Sequence, residues 1–167
     1  ESAQEEEDAI FLRQLVFERL NTGGIKLERQ EIRNSLGSGL FNDLLFKLAR
    51  LDNFRNVWEL PTYQVEEDTN HKLPIYETAF FKKMEDIEVV LRFFALRHME
   101  QYRYGIQGFL DLYMIRSKKF NIEDCEVLGS LFENTLDTAV EIFDENAFKI
   151  YEDGHFVGKA KKGVYDA

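Results

Sequence analysis

Two arginines flank a pair of glycines near the start of the sequence. Arg19 and Asn21 precede Gly23-Gly24, and Gln30 and Arg33 follow at a spacing of three residues, which places them on one helix face. A glycine turn before a helix can hold an anion, and a guanidinium group suits phosphate or carboxylate. If the flanking helices pack as a hairpin, these side chains converge on one point.

A capped helix turn is the other interpretation of this stretch, and the local sequence favours it. Here the same polar side chains cap helix ends and pair at the surface with Glu18, Glu28 and Glu31. The turn is not a P-loop, because Lys26 is followed by Leu27 instead of a hydroxyl residue. The residue types leave both an anion site and a capped turn open.

The histidines, the cysteine and the charge runs predict no catalytic residue and no metal site. Their spacing matches neither a metal site nor a Ser-His-Asp arrangement. We expect His98 on the apolar stripe of a helix, and Cys125 as a structural or surface thiol. Two charge runs are expected on the surface, and the second of them could touch phosphates: Glu66-Glu67-Asp68 in a solvated loop, and Lys159, Lys161 and Lys162 in a basic tail.

Composition bounds the class of protein. The 167 residues are 44% hydrophobic and include 15 Phe, which is enough for a core. The formal net charge of -10 makes sequence-independent DNA binding by the whole domain a poor fit. The single cysteine, the acidic N-terminus and the lack of a membrane-length apolar run predict a cytoplasmic protein without a membrane partner.

Helical periodicity dominates the chain and predicts an all-α, bundle-like domain of about seven to nine helices. Predicted helices cover about 8–20, 28–36, 40–51, 53–60, 75–84 and 86–104, with one after Gly105 and one after Asn121, an expected N-cap. Residues 1–60 and 75–167 form helical subregions, and 61–74, between the only two prolines, form a loop or linker. We expect one domain, with Asp86, Glu88 and Arg92 on an outer helix face, although the position of Arg92 before Phe93-Phe94 leaves open that it has a partner.

Residues 16–41 also resemble a signature of a large bacterial family. The pattern Phe-x-Arg-Leu-Asn-x-x-Gly-x-x-Leu-x-x-x-Glu-Ile-Arg is carried by these residues: Phe17, Arg19, Leu20, Asn21, Gly24, Leu27, Glu31, Ile32 and Arg33. It resembles the GmrS-type family, the N-terminal part of GmrSD modification-dependent (type IV) restriction enzymes, related to ParB-like and sulfiredoxin-like nucleotidases. Three later segments resemble the same family: Val89–Arg97, Gly108–Met114 and the closing Lys161–Ala167.

The resemblance implies that this chain is the helical C-terminal part of a nucleotide-dependent DNA nuclease in phage defence. The family's Asp-Gly-Gln-Gln-Arg motif is absent from the sequence, so the chemistry is expected upstream, in a nucleotidase-like domain of the same protein. An NTP, a divalent metal and DNA would be ligands of the full-length parent protein. The residues implied to support its nucleotide site are Arg19, Asn21, Thr22, Gly23, Gly24, Gln30, Glu31 and Arg33.

A non-catalytic helical interaction or regulatory module is the alternative function. The nuclease-support function and this alternative predict different roles for Arg33. If Arg19 and Arg33 support a nucleotide site directly, replacing either by alanine should abolish activity of the parent and leave Tm nearly unchanged. If they only hold a helix hairpin together, the same changes should lower Tm.

Overall fold

The computed structural model describes residues 28–167 and confirms an all-α multi-helix domain. Eight α-helices lie in this part of the chain: α1 Arg29–Leu36, α2 Leu40–Ala49, α3 Asp52–Val57, α4 Ala79–Lys82, α5 Glu85–Leu96, α6 Gly105–Arg116, α7 Ile122–Phe143 and α8 Lys162–Tyr165. The helix predicted over residues 8–20 and the glycine turn after it lie outside the described residues.

Local stop and start signals act where the sequence predicts them. α1 ends before Gly37, and Gly39 takes a φ of +140° that permits the chain to reverse into α2. At the start of α7, the Oδ1 atom of Asn121 accepts a hydrogen bond from the backbone N–H of Asp124 at 2.9 Å. These caps place three helices close to their predicted bounds.

Aromatic side chains from α2, α5 and α7 form the centre of the core. Phe41, Phe94 and Phe132 are each at most 2% exposed. The ring centroids of Phe41 and Phe94 lie 5.4 Å apart, and those of Phe94 and Phe132 lie 5.9 Å apart. Edge-to-face and tilted ring contacts of this kind stabilise the fold beyond the gain from burying apolar surface. Helix α2 packs against both α5 and α7, and these rings join the three helices at the centre of the core.

A small hairpin follows α7, in the tail for which the sequence predicted no definite structure. Strands β1 (Ile150–Glu152) and β2 (His155–Val157) pair antiparallel, with Ile150 opposite Val157. The turn between them has positive φ at Asp153 (49°) and Gly154 (84°), as two-residue Asp-Gly hairpin turns require.

The predicted helix over residues 86–104 is wrong in its C-terminal part. α5 ends at Leu96, and a 3₁₀ turn spans Met99–Gln101. His98, expected inside, is exposed and stacks on Tyr113 at 5.9 Å, while Tyr102 lies 5.2 Å from Phe109. The apolar periodicity continues past α5 because these rings contact α6 from a loop. Helix continuity does not cause it.

Two further expectations are corrected by burial. Within 61–74, Glu66 and Asp68 are exposed as expected, but a 3₁₀ turn at Val65–Asp68 brings Glu67 to 3% exposure, so the expectation of a solvated loop is wrong for this residue. Asp86, expected on an outer face, is 2% exposed. Residues 75–84 form a 3₁₀ turn at Pro74–Glu77 and the short α4 in place of one helix.

Candidate functional site

Arg33 is buried in the interior of the fold. It projects from α1 and is 4% exposed. The first turn of α1 is closed by Glu31, whose Oε2 atom accepts a hydrogen bond from the backbone N–H of Glu28 at 2.6 Å. Glu31 thus caps the helix, while Arg33, one half-turn further on, faces α5 and α6.

Every N–H group of the Arg33 guanidinium has an acceptor. Nε donates to Oδ1 of Asp111 at 2.7 Å. Nη1 donates to Oε1 of Gln30 at 3.0 Å and to Oε2 of Glu88 at 3.1 Å. Nη2 donates to the backbone carbonyl of Gln107 at 3.1 Å and to its Oε1 atom at 2.5 Å. We call these five residues, Gln30, Arg33, Glu88, Gln107 and Asp111, the Arg33 cluster.

Gln30 belongs to the cluster by position as well as by contact. It is 2% exposed, accepts from Arg33 through Oε1, and donates from Nε2 to Oδ1 of Asn34 at 2.8 Å. The spacing of three residues between Gln30 and Arg33 therefore does place them on one face, as predicted. That face is turned into the protein.

A chain of ion pairs extends the Arg33 cluster toward the end of the sequence. Oε1 of Glu88 lies 3.4 Å from Nη1 of Arg92, and Arg92 forms short hydrogen bonds to Asp166. Those hydrogen bonds, together with the nearby carboxylates, raise the pKa of Arg92 above its usual value. Nζ of Lys162 lies 2.6 Å from Oε2 of Glu85. The lysine tail is thus partly paired, and α8 is tied to α5.

The predicted site residues fall into three groups. Gln30 and Arg33 meet in the cluster, and Glu31 serves as a helix cap. Arg19, Asn21, Thr22, Gly23 and Gly24 lie outside the described residues. The predicted surface pairing of Arg33 with Glu28 and Glu31 is wrong, because its carboxylate partners are Glu88 and Asp111, 55 and 78 residues away.

The network draws on each of the four segments that carry the family resemblance. Arg33 lies in the first, Arg92 in the second, Asp111 in the third, and Lys162 and Asp166 in the last. Glu88, immediately before the second segment, joins Arg33 to Arg92.

Comparison of the chain with family models, curated proteins and solved structures found no match. The family resemblance therefore stays a prediction.

The ligands that Arg33 could bind are limited because its hydrogen-bond donors already have partners. A phosphate ligand needs free N–H donors, and all five donors of this guanidinium are already used within the fold. A buried guanidinium with two carboxylates and two amides holds helices in register. Replacing Arg33 by alanine should therefore lower Tm, contrary to the expectation for a direct nucleotide contact.

Sequence reasoning missed a second polar group, around Arg55 and Asp86. Arg55, 1% exposed, pairs with Glu67 through two hydrogen bonds of 2.7 and 2.9 Å. Burial raises the pKa of Asp86 from its ordinary 3.8 to about 7, although backbone hydrogen bonds and the charge of Arg55 oppose the rise. The available signal was its spacing of three and four from the buried Val89 and Val90, which puts Asp86 on the core face.

Two observations on residues 28–167 concern metal binding and membrane insertion. No group of three or more His, Cys, Asp or Glu in this part of the chain is placed to hold a metal ion. Among the helices described, none has the length and apolar character to cross a bilayer.

Proposed function

We propose that this chain is the helical support of a nucleotide-dependent DNA nuclease of the modification-dependent restriction type. Its Arg33 cluster would be a positioning element. In this proposal the nucleotide chemistry lies upstream, and Arg33 acts on it by fixing α1, the helix that follows the turn predicted at Asn21-Thr22-Gly23-Gly24.

The observation that carries the proposal is the meeting of all four resembling segments in one charge network. Segments scattered between residues 16 and 167 supply Arg33, Arg92, Asp111 and Asp166 to a connected set of ion pairs. A shared core of apolar residues would explain helical segments of any kind. Paired charges at these positions are more specific, because each buried charge needs its partner.

The direct test uses the full-length protein and three activity measurements. NTP hydrolysis and NTP-dependent cleavage of modified and unmodified DNA are measured for wild type and Arg33→Ala, together with KM for the NTP. We expect Arg33→Ala to lose about 1–3 kcal/mol of stability, since Asp111 and Glu88 lose their buried guanidinium partner and keep Arg29 and Arg92. Activity per folded molecule should fall about tenfold to a hundredfold with KM nearly unchanged, because the predicted glycine turn would be displaced and no ligand contact would be lost.

Lys47→Ala is the matched control. Lys47 is a cation on the neighbouring α2, but its side chain is 70% exposed and its nearest carboxylate, on Glu133, is 3.9 Å away. This change should leave both stability and activity near wild type. A wild-type protein that neither hydrolyses NTPs nor cuts DNA in their presence would overturn the proposed function. A raised KM at unchanged Tm in Arg33→Ala would overturn the positioning role.

A non-catalytic interaction module is the second candidate, and the charge of the chain favours it. The formal net charge is -10, and Ile122, Val127 and Ile142 on different sides of α7 are each at least 64% exposed. An acidic surface suits a protein partner better than DNA. In that case the full-length protein lacks NTP hydrolysis, and Arg33→Ala changes Tm alone.

A further inference from the structure

A cavity of about 220 Å³ lies between α2, the Val65–Asp68 turn and the start of α5. It is separate from the Arg33 cluster and shares no residue with it. Its apolar walls come from aromatic and thioether side chains, chiefly Phe46, Tyr76, Phe81 and Met84. Its polar wall carries five charged residues: Arg50, Arg55, Glu67, Asp68 and Asp86.

Four of these five charges cancel in pairs. Arg55 is paired with Glu67 through two hydrogen bonds, and it also donates to the backbone carbonyls of Ala49 and Pro61. Arg50 donates to Asp68 at 2.5 Å. Asp86 has no salt-bridge partner among residues 28–167, so the cavity wall carries one uncompensated negative charge when this carboxyl group ionises.

One of the two carboxyl oxygens of Asp86 also lacks a hydrogen bond. Its side chain is 2% exposed, and its buried Oδ1 atom has no hydrogen-bond partner within the described part of the chain. A buried polar atom without a partner costs free energy. Asp86 lines the cavity, so the cost falls if a ligand there donates a hydrogen bond to its carboxyl group. A positively charged donor gives the strongest bond of this kind.

The opposite wall suits the apolar body of such a ligand. The ring centroids of Tyr76 and Phe81 lie 5.1 Å apart at near-perpendicular orientation. Tyr76 is held in place by its hydroxyl group, which donates to the backbone carbonyl of Glu67 at 2.6 Å. Aromatic faces attract organic cations, and their edges pack against alkyl or aryl carbon.

We propose that this cavity binds a small organic ammonium ion, with Asp86 as its counter-ion and the aromatic wall around its carbon skeleton. The volume corresponds to about seven water molecules in the liquid, which admits an alkylamine or arylalkylamine. It is below the roughly 300–1,000 Å³ of pockets for drug-sized ligands, so a nucleotide does not fit.

Other occupants fit the same walls less well. An anion would face the unpaired Asp86, while both arginines are already paired. A divalent metal ion needs about six oxygen ligands. Both Glu67 oxygens are bonded to Arg55, so that ion would find chiefly Asp86. Water molecules alone are the remaining occupant, and the experiment distinguishes them.

Benzylamine, benzyl alcohol and benzoate are the probes, titrated into the full-length protein by calorimetry. They share an aromatic ring and differ in charge. We expect saturable binding of benzylamine with a Kd below about 10 mM, as its few atoms allow, and at least about tenfold weaker binding of the other two. Asp86→Asn keeps the side-chain volume and should weaken benzylamine about tenfold or more. Glu141→Gln, which removes one exposed carboxylate from α7, should bind like wild type.

A second measurement on wild type protects the test if Asp86→Asn fails to fold. Because the empty cavity holds a proton on Asp86 up to about pH 7, an ammonium ion must displace it at lower pH. Benzylamine affinity should fall by up to about tenfold per pH unit as pH drops from 7 toward 5. The proposal would be overturned by equal affinity for amine and alcohol or by an amine affinity that does not change with pH. It would also be overturned by the absence of saturable amine binding, which would leave water as the occupant.

Discussion

The carboxyl group of Asp86 holds its proton over different pH ranges in the folded and the unfolded chain. Its folded pKa is about 7 against an ordinary 3.8, since burial penalises the charged form. The unfolded chain loses this proton near pH 4 and the folded chain near pH 7. Between these values the folded state binds more protons, so raising the pH lowers the free energy of unfolding. Below about pH 4 and above about pH 7 this contribution is constant.

Asp86→Asn tests that linkage. The variant cannot ionise here, so its free energy of unfolding minus that of wild type should rise by up to about 1.4 kcal/mol per pH unit from pH 4.5 to 7. Urea denaturation at several pH values measures the difference. A difference that stays constant across this window would contradict the raised pKa.

At the scale of single residues, Arg33 and Arg55 share one feature. Each buried guanidinium is surrounded by carboxylate and carbonyl oxygens, which for Arg55 come from within 12 residues and for Arg33 include carboxylates 55 and 78 residues away. A buried charge is tolerated only with partners, so these residues organise their neighbours. This is why we assign Arg33 a positioning role in the proposed nuclease and leave the paired Arg55 out of the proposed amine contact.

At the scale of elements, the start of α7 depends on one side chain. Asn121 Oδ1 accepts the Asp124 N–H at 2.9 Å, and Asp124 Oδ2 accepts the Asn121 N–H at 2.9 Å. Asn121→Ala should cost about 1 kcal/mol of stability, while Asn121→Asp should keep most of it, because either cap oxygen satisfies an otherwise unpaired donor. Chemical denaturation followed by circular dichroism measures both.

Asn134→Ala is the control for that cap. Asn134 is an exposed residue inside the same helix, and alanine has the higher helix propensity there. The change should be neutral or slightly stabilising. If Asn121→Ala and Asn134→Ala had the same effect on stability, the cap would contribute nothing beyond helix propensity.

At the scale of the whole molecule, the C-terminal α8 is held against distant helices. Asp166 accepts hydrogen bonds from Arg92 of α5, and the ring of Tyr165 lies 5.8 Å from that of Trp58. Asp166→Ala should destabilise the domain by about 1–3 kcal/mol, because the partly buried Arg92 loses its main acceptor. Trp58 is the single tryptophan, so its fluorescence during urea denaturation reports directly on this region.

Lys159→Ala provides the comparison for α8. Lys159 also pairs across the fold, with Glu59 at 2.5 Å, but its side chain is 76% exposed. Solvent screens such pairs, so we expect a change within about 0.5 kcal/mol. Equal losses in the two variants would mean that the burial of Arg92 adds nothing to its ion pair.

Local sequence patterns are enough to predict the all-α class and the features set by neighbouring residues. Periodicity, the stop at Gly37-Ser38-Gly39 and the Asn121 cap act over three to four residues, so they can be recognised in the chain. They also placed Gln30 and Arg33 on one face. The four segments that resemble the family can also be recognised in the sequence, but their meeting in one charge network cannot.

The direction in which those helix faces point depends on tertiary contacts, which no local pattern predicts. Arg33 finds its partners 55 to 78 residues away, and Glu67 is drawn inside by Arg55, 12 residues before it. α5 ends at Leu96, while the periodicity continues through a loop that contacts α6. Burial and ion pairing depend on which helices pack together. The packing arrangement is set by the free energy of the whole core, so it cannot be read from a local sequence pattern.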